Sequence, residues 1–546
     1  MRVEPRPVLP PHATVYRTSL ARGRLGLAFV PLLIAAAWGG TAAVSARTGS
    51  PEARTTSPTR HAAPASHRAR RAAAVPAAQA INTSFPGLTT FRGNATRSYY
   101  GSGPVPRHPV VLWRYPRSGD MCARSADEHG TETWCGVGWT GQPNVLPRSG
   151  GGWEIRFGAY DDHYHFLDGE TGEPVRPDLV TGDLAKGSAT SDPDGYPLYY
   201  AGSRDNMLRV VALDRGRPIV LWELNSMTSV PRVLWNNDWD GAPLVVGDYL
   251  LEGGENSWFY VVKLNRGYLP NGLVTVHPRI VLRVPGWDAR LLQDLGDTQV
   301  SIENSVAFRD GIVYFANSGG LVQGWDLRRV LHGGHTAKRV FRFWTGDDTD
   351  ASVVIDRDGF LYVASELQRL DARSERVGQL MKLDPRHPAQ PLVWSVPVTQ
   401  GASAHAGGLW ATPAIDRGVL YAATNYGDLF AVTRATGHEL WRIHLAGPTW
   451  GSPVVVDGVL LEGDCSGTLH AFDVSQQRER PRELWRIDLG GCIESTPAVF
   501  DGKIWIGTRG GAMYALGDRR TPTARPKWAR PSRFPTSQAA SSRSRP

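Results

Sequence analysis

Short apolar runs separated by tight polar turns recur along most of this chain. In ATPAIDRGVLYAATNYGDLFAVTRATGHELW (411–441) one run ends at an Arg-Gly turn. A second ends at a Gly/Asn/Asp turn, and a third leads to a brief run closing on Leu-Trp. The same cadence returns in GSPVVVDGVLLEGDCSGTLHAFD (451–473), which extends to a Leu-Trp pair at 485, and in STPAVFDGKIWIGTRGGAMYAL (495–516). Such runs bounded by Gly, Asn and Asp predict β-strands, and Asp-Gly between two of them predicts a two-residue hairpin turn, because Gly accepts positive φ. Asp457-Gly458 and Asp501-Gly502 are therefore expected as hairpin turns. Asp194-Gly195 and Asp358-Gly359 are expected as structural turns as well, despite their likeness to calcium loops.

Counting the cadence gives the architecture. First strands are expected near Gly141, Gly187, Gly241, Asn304, Ala351, Ala411, Gly451 and Ser495, which makes eight units with spacings of 40–63 residues. Fourth strands run through Trp222, Val284, Phe343, Trp394, Trp441 and Trp485, with a weaker one near Val175. The last unit ends at Leu516 without a fourth strand, whereas PVVLWRYP (109–116) precedes the first unit without a sheet of its own. The expectation is an all-β, eight-bladed β-propeller of four-stranded antiparallel blades, closed by that N-terminal strand so that no sheet edge stays open. A β-sandwich pair does not account for the period, and an open solenoid does not need the displaced strand at Trp113.

The repeat also carries a family resemblance. Ala431-Val-Thr-Arg-Ala-Thr436-Gly437-His-Glu-Leu-Trp441 resembles the A-x-D-x-x-T-G-x-x-x-W repeat of pyrroloquinoline quinone (PQQ) propellers, with Thr433 at the usual Asp. Partial matches are Leu167-Asp168 with Thr171-Gly172, Leu213-Asp214 with Leu221-Trp222, and Phe472-Asp473 with Leu484-Trp485. TFRGNATRSYYGSGPVP (90–106) resembles the segment that leads into such propellers. The resemblance spans roughly 90–517 and implies the fold, with the motif Trp and Gly packing between blades. It implies activity weakly, because dehydrogenases and non-enzymatic scaffolds share the repeat.

Charge adds a division of the chain. Residues 1–80 hold 11 Arg against 2 Glu and 518–546 hold 8 Lys/Arg against 1 Asp, so the ends contribute +9 and +7 to a total of +8 and leave the body, 81–517, at −8. An acidic body argues against nucleic acid as a partner. Within the basic leader of residues 1–24, Arg17, Arg22 and Arg24 precede an uncharged run from Leu25 to Ala46 that suits a transmembrane anchor or an export signal. The expectation is a single-pass anchor with the propeller outside the cytoplasm, or a secreted protein if the segment is cleaved. Residues 47–89 read as a flexible linker rich in Ala, Arg, Pro, Ser and Thr, and 518–546 as a solvated basic tail.

Four cysteines suit an oxidising compartment. Of the three possible pairings, the two local ones are expected, Cys122–Cys135 within one loop and Cys465–Cys492 between successive repeats. No pair has zinc-binding spacing. The motifs of α/β-hydrolases, P-loops and zincins are absent. His163 and His165 alternate on one strand face, a pattern of packing more than of metal binding. Asn82 and Asn94 open glycosylation triplets of a kind that arises by chance.

Candidate chemistry comes from aligning the residue ahead of each first strand, which in a propeller faces the channel mouth. Around the ring it reads Thr140, Lys186, Asp240, Glu303, Asp350, Trp410, Trp450 and Glu494. The proposed ligand site is Asp240, Glu303, Asn304, Asp350, Trp410, Trp450 and Glu494, with Asp238, Asp347 and Asp348 adding charge nearby. Clustered carboxylates recruit a cation or raise one another's pKa, and indole faces suit a flat ligand, a sugar or a cationic side chain.

The resemblance to quinoprotein dehydrogenases implies PQQ and Ca²⁺ for that activity, with Glu303-Asn304, Asp350 and Trp410 imitating their site. Against it, the chain has no adjacent Cys-Cys, no C-x-x-C-H and no long insertion. The expected function is a binding or scaffolding module for a protein or envelope ligand, similar to assembly-factor propellers of the bacterial envelope. A PQQ- and Ca²⁺-dependent dehydrogenase acting on an alcohol or sugar is the alternative. A polysaccharide-binding wall protein is a third reading, suggested by 19 Trp.

Overall fold

The computed structural model describes residues 87–127, 130–399 and 407–519. Eight antiparallel sheets follow one another along the chain and form the blades of a β-propeller. Blade 1 comprises Asn144–Pro147, Trp153–Ala159, His163–Asp168 and Leu179–Val180. Blade 3 comprises Leu244–Val246, Tyr249–Gly253, Trp258–Lys263 and Arg279–Pro285, and blade 7 Val454–Val456, Val459–Gly463, Thr468–Asp473 and Arg482–Asp488. In blade 8, Ala498–Phe500, Lys503–Thr508 and Ala512–Asp518 are joined on the outer edge by Pro109–Tyr115. That strand lies antiparallel to Ala512–Asp518 with Trp113 opposite Ala515.

Burial explains the pattern of apolar runs. The second strands, such as Tyr249–Gly253 and Val419–Ala423, are buried along their whole length because neighbouring blades cover both faces. Fourth strands, such as Ile219–Asn225 and Arg279–Pro285, are mostly exposed or half-buried because they form the outer edge of each blade. Asp457-Gly458 and Asp501-Gly502 have positive φ at both positions (50° and 76°, 49° and 79°), as a two-residue hairpin turn requires. At Asp194-Gly195 and Asp358-Gly359 only the glycine is left-handed. There the side chains of Asp192 and Asp356 accept backbone N–H bonds from two and four residues on. One boundary differs from expectation: Val175 bonds back to Phe166 in a turn, and the fourth strand of blade 1 shrinks to Leu179–Val180. Pro174 and Pro177 lack the donors that a longer strand would need.

Two repeated contacts join the blades. The first is aromatic. The Trp394 ring of blade 5 lies where a Cβ on Gly437 of blade 6 would stand 2.7 Å away, and its indole N–H donates to Arg434 O at 3.1 Å. Trp113 repeats the arrangement against Gly172 and Gly169 O of blade 1. The Thr-Gly turn of the motif is thus a seat for the neighbouring indole.

The second contact is a hydroxyl circuit at the residue before each first-strand Pro or its Ala or Val equivalent, interrupted between blades 2 and 3 where Ala242 has no hydroxyl. Gln142 N donates to Ser188 Oγ, Ala242 N to Ser305 Oγ, Ser305 N to Ser352 Oγ, Ser352 N to Thr412 Oγ1 and Thr412 N to Ser452 Oγ, all at 2.8–3.0 Å. Ser452 N then reaches Thr496 Oγ1 at 3.4 Å, and Thr496 Oγ1 donates to Thr140 O at 2.8 Å.

Residues 87–102 cross the channel at the end away from the mouth and touch every blade. Leu88 pairs with Val145, Thr89 O accepts from Ser191 N, Ala95 O from Phe308 N and Thr96 O from Ile355 N. Arg92, fully buried, donates to the carbonyls of Thr412, Pro413 and Pro453. Arg97, equally buried, donates to those of Phe91, Ala242 and Val306. Gly101 pairs with Val499. The segment that leads into the repeat is therefore a plug, and ligand access is from the opposite side.

The single-pass membrane localisation needs correction. No helix among the described residues is long and apolar enough to cross a membrane, and the longest spans only Ala289–Leu295. The expected segments 1–24 and 25–46, most of 47–89 and all but two residues of 518–546 lie outside the described residues.

Candidate functional site

The connector into each first strand brings one side chain to the mouth, and a second ring arrives from the hairpin between second and third strands. One hydrogen bond fixes this second ring. The backbone N–H of Arg204, Glu255, Ser318, Glu366, Asn425, Cys465 and Arg509 donates to a carbonyl two residues ahead of the first-ring side chain, respectively Leu184, Asp238, Ser301, Asp348, Gly408, Pro448 and Cys492. The two rings interleave.

On one side of the mouth they form a caged cation. Lys186 Nζ lies 2.9 Å from Asp238, 3.0 Å from Asp240 and 3.4 Å from Glu255, and 4.0 Å from the centroid of the Trp139 ring. All three carboxylates are buried. Burial and repulsion from Asp238 push Asp240 well above the usual carboxylate range. Burial acts the same way on Glu255, but Lys186 and a hydrogen bond from Asp240 outweigh it and hold Glu255 down. The two acids around the ammonium are thus shifted in opposite directions, Asp240 up and Glu255 down.

On the adjoining side stand Glu303, Asp348, Asp350 and Glu366. Ligand oxygens of Asp348, Asp350 and Glu366 lie within 4.8 Å of one another. The hydrogen bonds described for this group come from neutral side chains. Ser301 and Ser318 bond Glu303, Gln368 and Asn425 bond Glu366, and Trp410 Nε1 donates to Asp350 at 3.2 Å. One oxygen each of Asp348 and Asp350 is buried without a hydrogen bond from any described residue. Burial, with repulsion from Glu255 and Asp348, raises Glu303 to about 8, and burial raises Asp348 to about 7. Asp350 and Glu366 are pushed up further by burial and by Asp348.

Three indoles wall the mouth edge to face: Trp139 to Trp410 at 5.0 Å and Trp410 to Trp450 at 5.5 Å between ring centroids. Each remains partly exposed. Glu494 is buried against Arg509, 3.2 Å away, which also stacks on Tyr160 and Trp134. Asn304 differs from the other expected residues. Its amide bonds Ala316 N and O and Thr349 O, so it is spent on the seam between blades 4 and 5.

Both disulfides join the expected cysteines. Cys122–Cys135 crosses a hairpin beside the mouth, and Cys465–Cys492 ties blade 7 to the connector of blade 8. His165 sits between Asp161 and Asp178, 3.2 Å from each.

Sequence reading missed Trp139, Glu255 and Glu366. Trp139 enters because its own backbone is left-handed (φ 52°), turning the side chain inward one residue early. The two glutamates follow second strands at a fixed offset, and the same alignment applied to a second column would have found them.

A hard cation fits the cluster of Asp348, Asp350 and Glu366, which offers converging carboxylate oxygens. PQQ carries three carboxylates of its own and needs cations to receive them. Lys186, Arg369 and Arg509 at the mouth each face carboxylates of the chain already. The donor set fits a cation and does not fit that cofactor.

Blade number and strand order define the class: the chain is an eight-bladed β-propeller, with Thr-Gly/Trp seams of the kind seen in PQQ-type repeats. Residues 378–480, from the third strand of blade 5 to the last loop of blade 7, match the family described as outer membrane protein assembly factor BamB. No curated protein sequence matches the chain. Among solved structures it is similar to the quinohemoprotein alcohol dehydrogenase of Comamonas testosteroni (TM-score 0.51, 13% identity, 80% of this chain and 82% of that one). It is also similar to quinohemoprotein alcohol dehydrogenase ADHIIG of Pseudomonas putida HK5 (TM-score 0.52, 12% identity, 81% and 82%). At such identities the likeness is one of fold.

Proposed function

We propose that this propeller is a non-catalytic binding module of an oxidising, extracytoplasmic compartment, and that its mouth receives a cationic segment of a partner protein. The observation that carries this is Lys186. Its ammonium rests on an indole face and against the carboxyl groups of Asp238, Asp240 and Glu255, so the chain fills one half of the mouth with its own cation. The other half repeats the ingredients, Trp410 and Trp450 beside Glu303 and Asp350, with only neutral hydrogen-bond donors described there. A Lys or Arg of a partner would complete it, and a desolvated cation–π contact contributes about 2 kcal/mol. The two disulfides support the compartment.

The test is a titration of the full-length protein with deca-lysine, followed by indole fluorescence. Saturable quenching, weakened at least tenfold in Glu303→Gln and Asp350→Asn, is expected. No quenching, or variants that bind like the parent, would overturn the proposal. The dehydrogenase alternative draws on the same cation-ready carboxylates. Dye-linked oxidation of an alcohol or sugar after addition of PQQ and Ca²⁺ would establish it instead.

A further inference from the structure

The rim between blades 4 and 5 holds a second concavity whose charge is opposite to that of the mouth. A cavity of about 590 Å³ opens there, lined by Arg290, Arg342, Arg373 and Arg376 and by a single acid, Asp294. Phe343 and Trp344 supply its apolar wall. On a body of net charge −8, four converging arginines require an explanation.

Three of the four come from parts of the chain that the repeat does not require. Arg290 sits on the helix Ala289–Leu295 ahead of blade 4, and Arg373 and Arg376 on the helix Ala372–Val377 inserted between the second and third strands of blade 5. Arg342 belongs to the fourth strand of blade 4, Lys338–Trp344. Two of the four are partly neutralised. Arg342 bonds Asp288 at 2.8 and 3.1 Å, but Asp288 is shared with Arg339 at 2.9 Å, and Arg290 lies 3.6 Å from Asp294.

Arg373 and Arg376 form no carboxylate ion pair among the described residues. Arg373 Nε donates to Trp344 O at 2.8 Å, and its guanidinium lies 5.5 and 5.9 Å from the ring centroids of Phe343 and Trp344. Burial, and then the charges of Arg376, Arg290 and Arg342, hold its pKa below the usual arginine value. The guanidiniums repel one another where they stand.

We propose that this cavity binds a small polyanion, a molecule with at least two phosphate or carboxylate groups and an apolar part that lies on Phe343 and Trp344. Guanidinium forks match both oxyanions in a bidentate way. The volume lies within the ~300–1,000 Å³ of small-molecule sites. The ring stacking of Arg373 leaves its two terminal nitrogens to the ligand and pre-orients them.

The experiment is isothermal titration of the full-length protein with sodium pyrophosphate and, separately, with citrate, at constant ionic strength. One saturable site is expected for at least one of them. Pyrophosphate alone would assign phosphate chemistry, and citrate alone carboxylate chemistry. Arg373→Gln/Arg376→Gln should weaken binding at least tenfold, and Arg357→Gln, an exposed arginine outside the cavity, should leave it unchanged. Should the double variant fail to fold, Arg376→Gln alone, on an exposed position, must weaken binding at least threefold. No saturable binding of either anion, full affinity in the variants, or equal loss in Arg357→Gln would overturn the proposal.

Discussion

Asp350 Oδ2 accepts the indole N–H of Trp410 at 3.2 Å across the seam between blades 5 and 6, joining the acidic wall of the mouth to its aromatic wall. The bond fixes which face of Trp410 looks into the mouth and places a carboxylate at its edge. Trp410→Phe keeps the ring and removes the donor. It is expected to weaken deca-lysine binding about threefold to tenfold, a loss on the order of 1 kcal/mol for one buried hydrogen bond. Fluorescence titration against the parent checks this.

The mouth should charge with pH. Glu303 stands at about 8 and Asp348 at about 7, both raised chiefly by burial. The folded state therefore holds protons that the unfolded chain has released by about pH 4.5. Stability from these groups is present at low pH and falls as pH climbs to 8, while affinity for a cation rises over pH 6–9. Melting curves and peptide titrations at pH 5, 7 and 9 should move in opposite directions, and Glu303→Gln should flatten both.

His165 has the opposite linkage. Burial opposes its charge, but the bonds its ring donates to Asp161 and Asp178 dominate and raise it to about 9. Its contribution is fully present below about pH 6.5 and is lost as pH rises through 9, with an upper bound of about 3 kcal/mol. His165→Gln should lower stability at pH 6 and change little at pH 10, as measured by denaturant unfolding.

The plug makes a strong demand on one side chain. Arg97 satisfies carbonyls of blades 3 and 4 and faces Glu252, although burial lowers its pKa to about 9. Arg97→Met would leave the carbonyls of Phe91, Ala242 and Val306 without that donor. The expected loss is about 3–5 kcal/mol in denaturant unfolding, at about 1–3 kcal/mol for each buried acceptor left unpaired. Glu252 itself is raised far above the carboxylate range by burial, so Glu252→Gln should cost under about 1 kcal/mol.

At the blade seams, Gly437→Ala puts a methyl into the Trp394 ring at a residue with φ 72°. A loss of about 1–3 kcal/mol is expected. Gly216→Ala, also left-handed but with open space around it, separates the backbone strain from the clash.

The periodic parts of the molecule were legible in the sequence. Eight first strands could be counted because a small residue recurs ahead of each apolar run, followed by Pro in five of the eight units, and the Asp-Gly hairpins followed from turn chemistry alone. Aligning one column brought Asp350, Trp410 and Trp450 to one mouth before any coordinates. Asn304 departs from its column, which is otherwise Gly, Ala and Ser, because its longer amide bonds its own blade and also reaches Thr349 O across the seam. Glu366 was missed because it lies in a second column. The arginine cavity was invisible for a different reason. Arg290 and Arg373 stand on inserted helices with no counterpart in other blades, and pattern reading discards what does not repeat.

The hydroxyl circuit lies at the axle, and every link is one short side chain regardless of how long its blade is. Growth at the periphery is therefore mechanically decoupled from the hub. A blade can acquire a helix and a new surface chemistry without shifting the residues that meet around the pore.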